Sequence, residues 1–247
     1  IMRSKTKSPD FLMINNLKKE IMAKSVYKGI GFQDTLDQTR SILSRYEPRK
    51  VTMPNKKAAA VMILFINKAD TPHIIFTQRT DTVETHKGQI SFPGGVQDSL
   101  DENLIQTAKR ETYEEIGIPQ DLIWDLGQLD DFYTVTDFIV SPFSGYITSR
   151  FNYLLNEHEV AEVLEVPLDL FLDDTHFEVK KWDHKGRLYD VYFYNYNGRT
   201  IWGATAYILN RFIDLVFNYN PAPNPVVEDP RNEHYLTENK KRRSNLR

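Results

Sequence analysis

The most informative segment of the sequence is Ser91–Ile118, which reads SFPGGVQDSLDENLIQTAKRETYEEIGI. Its first residues are typical of a strand that ends in two glycines, and its second half has the apolar spacing of a helix. This helix would carry Glu111, Glu114 and Glu115, three acids close enough to repel one another. A helix that keeps such acids together is expected to hold a compensating cation, which would be typical of an enzyme.

Both ends of this helix are marked in the sequence. Ser99 and Glu102 match the capping-box pattern S-x-x-E, which predicts that the helix begins near Leu100. Gly117 lies where a glycine commonly ends a helix. At about 100° per residue, the three glutamates share an arc of roughly 100°, and apolar residues occupy the adjoining arc. One flank of the helix is therefore predicted to be core, and the next to be a carboxylate cluster.

The chemistry of this cluster depends on its neighbours. Glutamates on a helix are often only solvated surface charges, and the acid run by itself leaves that alternative open. Arg110, however, lies one turn before Glu114 and can pair with it. Hard divalent cations take oxygen ligands, so they suit three carboxylates together with the backbone carbonyl of Gly95 just upstream. An acid cluster beside a glycine loop favours diphosphate chemistry, because a bound cation neutralises phosphate charge.

The composition argues against several other classes of function. Of the 247 residues, 40% are hydrophobic and 12% aromatic, which is ample for a core. The net charge of −3 gives no basic surface, so we expect neither a nucleic-acid nor a membrane partner. The chain has no cysteine, which excludes disulfides, thiolate catalysis and Cys-ligated zinc. With no apolar run of membrane-spanning length and no signal-peptide core, the sequence predicts an unexported, cytoplasmic protein.

The rest of the chain predicts strands around a few helices. Residues 33–46 and 201–217 have the amphipathic spacing of helices. Strand-like segments lie at 58–66, 73–79, 122–129, 137–147, 159–166, 176–182 and 187–196. Because strands and helices do not alternate regularly, the pattern favours an α+β fold, an α/β/α sandwich with a mixed sheet, over a doubly wound fold.

Taken together, the central residues resemble the Nudix box, G-x5-E-x7-R-E-U-x-E-E-x-G-U, where U is a bulky aliphatic residue. The second half of the box falls on Arg110, Glu111, Glu114, Glu115, Gly117 and Ile118, with Glu102 eight residues before Arg110. The sequence departs from the box in two places. Gly95 to Glu102 is one residue longer, and Thr112 replaces the aliphatic residue. Both departures are similar to the coenzyme A pyrophosphatase branch of the family.

Segments outside the box resemble the same branch. Upstream they are IIFTQR at 74–79, HKGQ at 86–89 and FPGG at 92–95, followed by Asp98 and Asp101. Downstream they are EVAEVLEVPL at 159–168 and IWGATA at 201–206. The resemblance covers roughly residues 55–217 and implies a Nudix fold, in which the box forms a loop-helix-loop.

The resemblance also implies roles for individual residues. Glu111, Glu114 and Glu115 would bind Mg²⁺ or Mn²⁺ with the Gly95 carbonyl, and Arg110 would orient the acids. The residues expected to contact substrate are Arg79, His86, Lys87, Gly94 and Gly95, and those expected to supply an extra acid are Glu159 and Glu102. Simpler interpretations stay open beside these, since Arg79 can form a surface ion pair and His86 can hold its own turn.

The implied reaction is hydrolysis of a phosphoanhydride by a metal-activated water. The implied substrate is coenzyme A or an acyl-CoA, split into adenosine 3′,5′-bisphosphate and 4′-phosphopantetheine or its acylated form. One alternative is a Nudix hydrolase of ADP-ribose or nucleotide sugars, and another is a non-catalytic Nudix-fold binding module. An isomerase of the isopentenyl diphosphate type shares the fold, but its chemistry uses a cysteine, and this chain has none.

The domain organisation predicted from the sequence has three parts. Residues 1–55 form an N-terminal extension that packs on the core, and residues 56–219 form the Nudix hydrolase domain. Residues 220–247 are rich in proline and polar residues, which is typical of a flexible tail. The basic run at 240–243 is interpreted as solvated charge rather than as a localisation signal.

Overall fold

The structure is a computed structural model that describes residues 27, 29–82, 86–134, 136–184 and 186–222. Within these residues the helices are α1 (Phe32–Leu43), α2 (Leu104–Ile116), α3 (Leu168–Phe171) and α4 (Gly203–Phe217). The strands are β1 (Lys57–Lys68), β2 (Thr71–Arg79), β3 (Ile90–Ser91), β4 (Gly94–Val96), β5 (Trp124–Gln128), β6 (Phe132–Tyr133), β7 (Phe138–Tyr146), β8 (Val160–Pro167), β9 (Phe177–His184), β10 (Arg187–Tyr196) and β11 (Arg199–Trp202). Each of the seven strand-like segments predicted outside the box is confirmed, whereas the two glycines predicted to end a strand lie in a separate short strand, β4.

Eight of these strands form one mixed sheet. Its order is β3-β2-β1-β7-β5, with β4 beside β1, β6 beside β7 and β8 beside β2. Strands β1 and β7 run parallel, whereas β1 and β2 are antiparallel. The centre of β1 is an unbroken apolar run, and almost all of it is buried. Such a run is typical of a strand covered on both faces, so β1 is the centre of the sheet.

Helices cover both faces of this sheet, because successive side chains of β1 point to opposite sides. On one face, Met62 and Leu64 belong to an apolar cluster with Ala108 and Ile116 of α2. On the other face, the cluster joins β1 to α1 and α4 through Ile63, Phe65, Leu36, Phe212 and Ile213. The predicted α/β/α sandwich is therefore confirmed.

A second, three-stranded sheet has the order β11-β10-β9.

The last helix was predicted to begin at residue 201, and this boundary is wrong, because Arg199–Trp202 is strand β11 and α4 begins at Gly203. The reason is the pair Asn197-Gly198, whose φ angles are 48° and 77°. Positive φ at both positions is the condition for a tight hairpin turn, and Asn-Gly is its strongest sequence signal. The turn returns the chain along β10 before the helix begins.

The predicted N-terminal extension is described in part. Helix α1 buries Phe32, Leu36 and Leu43 in the core. The segment after it is held by two buried acids, since Asp130 accepts a hydrogen bond from the Arg49 N–H at 2.7 Å and Asp131 accepts one from the Val51 N–H at 2.9 Å. Residues 1–26 and most of the predicted tail at 220–247 lie outside the described residues. The division of the chain into three parts stays a prediction.

Among the described helices, none is both long enough and apolar enough to cross a membrane. The cytoplasmic location stays a prediction.

We expect α1 to be part of the cooperative fold. Leu36 is 2% exposed within the core cluster. Leu36→Ala should therefore lower the free energy of unfolding by about 2–5 kcal/mol, because it leaves a cavity between α1 and the sheet. Urea denaturation measures this loss. The matched change Gln33→Ala, at an exposed position of the same helix, should stay within about 0.5 kcal/mol of the wild type. Equal effects of the two substitutions would show that α1 does not contribute to the core.

Candidate active site

Helix α2 begins four residues later than the sequence predicts. Asn103 is its N-cap, and the Asn103 side chain accepts a hydrogen bond from the Gln106 N–H at 3.1 Å. The predicted capping box at Ser99 and Glu102 is wrong, because Ser99 is in a separate turn around Asp98. In that turn the Asp98 carboxylate accepts hydrogen bonds from the Ser99 hydroxyl and from the backbone N–H that follows it. The loop before α2 is therefore longer than predicted.

The other end of α2 agrees with the prediction. Gly117 is the C-cap with φ of 77°, and its N–H donates to the Tyr113 carbonyl at 2.8 Å. A Cβ at this position would lie 2.7 Å from the Cβ of Leu154, so a side chain does not fit. The glycine ends the helix and admits the loop that carries Leu154.

Arg110 is the centre of the ion pairs at the site. Its guanidinium binds Asp101 with two hydrogen bonds, Nε to Oδ1 at 2.9 Å and Nη2 to Oδ2 at 3.0 Å. Its Nη1 lies 2.8 Å from Glu114 Oε2 and 2.9 Å from Glu111 Oε1. The predicted pair between Arg110 and Glu114 is confirmed. The role of Asp101 was not predicted, and its hydrogen bonds to Arg110 hold the pKa of its carboxyl at about 2.

Two glycines let β4 approach both the sheet and α2. Gly94 has φ of 152°, and a Cβ there would lie 2.3 Å from the Ala60 carbonyl oxygen. A Cβ on Gly95 would lie 2.4 Å from Cδ of Glu111. Because no side chain fits at either position, the Gly95 backbone lies directly beneath the Glu111 carboxylate. The roles of Gly94 in substrate binding and of the Gly95 carbonyl as a ligand stay predictions.

Glu115 is a buried acid, with 3% of its surface exposed. The Thr77 hydroxyl donates to its Oε2 at 3.4 Å. The pKa of Glu115 is raised to about 8, first by burial and then by the charges of Glu111 and Glu159, against the lowering effect of Arg79. The pKa of Glu111 is also raised, first by burial and then by Glu114 and Glu159, while Arg110 lowers it. These two acids repel each other in a region with little solvent.

The three glutamates of α2 are not equivalent. Glu111 and Glu115 point inward, whereas the Glu114 side chain is 51% exposed and is held by Arg110. In the described part of the chain, no three acidic or histidine side chains are grouped as ligands for one ion. The donor set nevertheless fits a hard divalent cation, because Glu111 and Glu115 are oxygen donors whose charges have only partial compensation. A cation between them would remove the cost of keeping both ionised.

Arg79 and Glu159 join this site from other elements. Arg79 ends β2, and its buried Nε has no hydrogen-bond partner among the described residues. Glu159 directly precedes β8, and its charge acts on both Glu111 and Glu115. The structure thus brings two of the predicted residues from outside the box to the buried acids, and their roles stay predictions.

The remaining predicted residues lie in two turns. His86 has φ of 58°, its Nδ1 is 2.8 Å from Gln89 Oε1, and its carbonyl accepts from the Gln89 N–H. These bonds favour the simpler interpretation that His86 holds its turn, with Lys87 exposed beside it. Glu102 is exposed at the start of α2, where its carboxylate accepts from Gln106 at 3.3 Å. The structure groups Glu102 with the helix start, and its use as an extra acid stays a prediction.

Because Glu115 is buried, we expect the free energy of unfolding to depend on pH through this residue. Folding raises the Glu115 pKa from about 4.5 to about 8, so between these values the folded state holds a proton that the unfolded state has lost. Stability from this group is present at low pH and is lost as pH rises, by up to about 5 kcal/mol. Glu115→Gln resembles the protonated acid, so in chelator its stabilising effect should grow from about pH 5 to pH 8.

Thermal unfolding of the wild type and of Glu115→Gln across this range measures the effect. Glu157→Gln, an exposed change on the loop before β8, is the matched control and should show no such trend. A difference between Glu115→Gln and the wild type that does not change with pH would mean that Glu115 is ionised when buried.

Comparison with known proteins identifies the family. The model of the NUDIX domain matches residues 56–185. An uncharacterized Nudix hydrolase NudL of Photorhabdus laumondii is 36% identical over 169 residues, which are 68% of this chain and 90% of that protein. The chloroplastic Nudix hydrolase 22 of Arabidopsis thaliana is 33% identical over 210 residues, which are 83% of this chain and 65% of that protein.

The solved structures that it resembles are more distant. A MutT/nudix family protein from Enterococcus faecalis has 17% identity and a TM-score of 0.44, over 71% of this chain and 65% of that chain. An Ap4A hydrolase of C. elegans has 18% identity and a TM-score of 0.39, over 46% of this chain and 81% of that chain. The assignment therefore rests on the sequence matches, and by these the chain belongs to the Nudix family.

Proposed function

We propose that this hydrolase of acid anhydrides acts on coenzyme A and acyl-CoA, and releases adenosine 3′,5′-bisphosphate and 4′-phosphopantetheine or its acylated form. Metal-dependent hydrolysis of a pyrophosphate bond is the activity of the family. The choice of coenzyme A is supported by the sequence before the box, at 74–79, 86–89 and 92–95. The observation that carries the phosphate site is Arg79, a guanidinium with a buried unpartnered Nε beside a buried acid.

Arg79 suits a phosphate better than an ion pair. Its charge lowers the pKa of Glu115, so it lies close to the acids, yet its Nε makes no hydrogen bond to a described residue. A buried donor without a partner costs free energy, which a ligand oxygen can recover. A guanidinium also matches two phosphate oxygens at once. We assign Arg79 to the diphosphate of the substrate.

The cation we propose is Mg²⁺ or Mn²⁺, held by Glu111 and Glu115 with Glu114 and the Gly95 carbonyl as further ligands. When bound, it neutralises charge on the diphosphate and acidifies a bound water. Arg110 keeps Glu114 and Glu111 in place, and Asp101 in turn orients Arg110. Asp101 thus acts on the acids only through Arg110.

Glu159 is the residue we assign as general base. It lies outside α2, and its charge reaches both buried acids. In the reaction, the oxygen of a water forms a bond to one phosphorus of the diphosphate, and the bond from that phosphorus to the bridging oxygen breaks. The proton of the water passes to the Glu159 carboxylate, and the second phosphate leaves with the bridging oxygen.

Replacing either buried glutamate of the site with glutamine should lower turnover. Glu115→Gln and Glu111→Gln should each lower kcat about a hundred-fold or more at saturating Mg²⁺, since each removes a ligand of a charge-neutralising ion. Both proteins should stay folded, because the acids repel one another without the ion. Asp34→Asn, which changes an exposed acid of α1, is the control and should keep wild-type turnover. Wild-type kcat for Glu115→Gln would show that Glu115 is not a ligand.

Substrate choice is tested with a panel at equal concentration. A 3′-phosphate distinguishes coenzyme A from ADP-ribose and nucleotide sugars. A site that binds this phosphate should contain a positively charged side chain. We expect a higher kcat/KM for coenzyme A than for dephospho-coenzyme A. Arg79→Ala should lower kcat/KM for both about ten-fold or more, because both contain the diphosphate, whereas Lys87→Ala should narrow the gap between them. Arg40→Ala, which changes an exposed arginine of α1, should leave both values unchanged. Faster turnover of ADP-ribose or a nucleotide sugar would reject coenzyme A and keep the hydrolase assignment.

A further inference from the structure

Asn156 lies between two acids of the site. Its N–H donates to the Glu115 carbonyl at 3.0 Å, and its carbonyl accepts from the N–H groups of Glu159 and Val160 at 2.9 and 2.8 Å. The Glu115 carbonyl belongs to the last turn of α2, where carbonyls lack partners within the helix. One residue therefore connects the backbone of the buried acid to the backbone of the acid outside α2.

The Asn156 side chain fixes the turn that carries Glu159. Its Oδ1 accepts from the His158 N–H at 3.2 Å, which is the bond of an Asx turn. Asparagine favours this turn because its short side chain reaches a backbone N–H two residues ahead. The side chain thus stabilises the turn at residues 156–159, and the backbone hydrogen bonds of Asn156 connect this turn to α2 and to the start of β8.

A second element holds the same turn from the opposite side. The Thr80 N–H donates to the Glu159 carbonyl at 2.9 Å, and the Thr80 hydroxyl donates to the His158 carbonyl at 2.9 Å. Thr80 directly follows Arg79, whose pairing with Val160 comes after a register shift in the ladder between β2 and β8. Such an irregularity redirects the side chains next to it, and it occurs here beside the acids.

We propose that Asn156 is a positioning residue that sets the Glu159 carboxylate against the acids of α2. An ordinary surface turn needs no bond to the carbonyl of a site glutamate, whereas this turn is bonded both to Glu115 and to the residue after Arg79. Asn156 itself does not touch substrate and acts only through Glu159. The inference rests on the proposed function, because it assigns Glu159 to the reaction.

The test compares substitutions of Asn156 in two backgrounds. Asn156→Ala removes the Asx turn and should lower kcat about ten-fold or more, with a smaller change in KM, because a small displacement of a catalytic group is costly. Asn156→Ser retains an acceptor oxygen and should restore most of the activity. In a Glu159→Gln background, Asn156→Ala should cause no further loss. Asn152→Ala, the same change at an exposed position of the same loop, is the control and should match the wild type.

A readout independent of activity is amide hydrogen exchange. The amide protons of Glu159 and Val160 should exchange faster in Asn156→Ala, because loss of the side-chain bond to the His158 N–H loosens the turn in which both donate to the backbone carbonyl of residue 156. Those in the centre of β1 should be unchanged. If Asn156→Ala does not fold, Thr80→Val replaces it, because it removes the hydroxyl bond that holds the same turn.

The outcomes separate the two proposals. Full activity of Glu159→Gln would reject Glu159 as the base and with it this inference. An inactive Glu159→Gln together with wild-type kcat for Asn156→Ala would reject the positioning role alone. An equal fold-loss from Asn156→Ala in both backgrounds would also reject it, since the effect would then not pass through Glu159.

Discussion

The carboxylate of Glu115 is kept in the interior within reach of a second acid, Glu111, and this electrostatic constraint explains most of the site around it. Ionising both acids away from solvent is unfavourable, as the raised pKa of each shows. The polar groups nearby lessen that cost only in part. Thr77 donates one long hydrogen bond, and Arg79 adds a positive charge. A site with this surplus of negative charge suits a cation, and then the anionic oxygens that the cation attracts.

The two arginines of the site have different surroundings and therefore different uses. Arg110 is fully engaged, with Asp101, Glu111, Glu114 and the Val96 carbonyl as partners. It joins the loop before α2 to the helix and leaves little capacity for a ligand. Arg79 has a buried nitrogen that no described residue satisfies. The first arginine is thus suited to hold the acids, and the second to receive a substrate.

The two faces of the main sheet differ in the side chains that they bury. The face that carries α1, α4 and the small sheet buries most of the large aromatic side chains, such as Phe65, Phe76 and Phe212. The opposite face has the smaller cluster, and there β4, α2 and the start of β8 bring polar groups to the edge of the core. A rigid apolar face allows the other face to keep buried charges in place, because the strands between them cannot move independently.

Elements with strong local signals can be predicted from the sequence alone. The unbroken apolar run of β1, the acid spacing of α2 and the glycine at residue 117 each specify one conformation through side-chain period or backbone freedom. Local signals failed where two of them competed. Ser99 and Glu102 match a capping pattern, but the Ser99 hydroxyl donates to the Asp98 carboxylate instead. Asn103 is the N-cap of α2. The Asn-Gly pair at 197–198 indicates a hairpin turn, but the apolar spacing of the residues after it is helical. The start of the last helix was therefore predicted too early.

Which acids are buried, and which distant residues come into contact, depends on the tertiary fold. Glu111, Glu114 and Glu115 look alike in sequence, yet Arg110 and Asp101 hold one outward while packing against β2 and β4 encloses the others. Asp101, Asn156 and Thr80 gave no signal of their contacts. Their partners are distant in the chain or are backbone groups, and a hydrogen bond of that kind leaves no periodicity to detect. Their positions follow from how the sheet closes, which depends on all its strands at once.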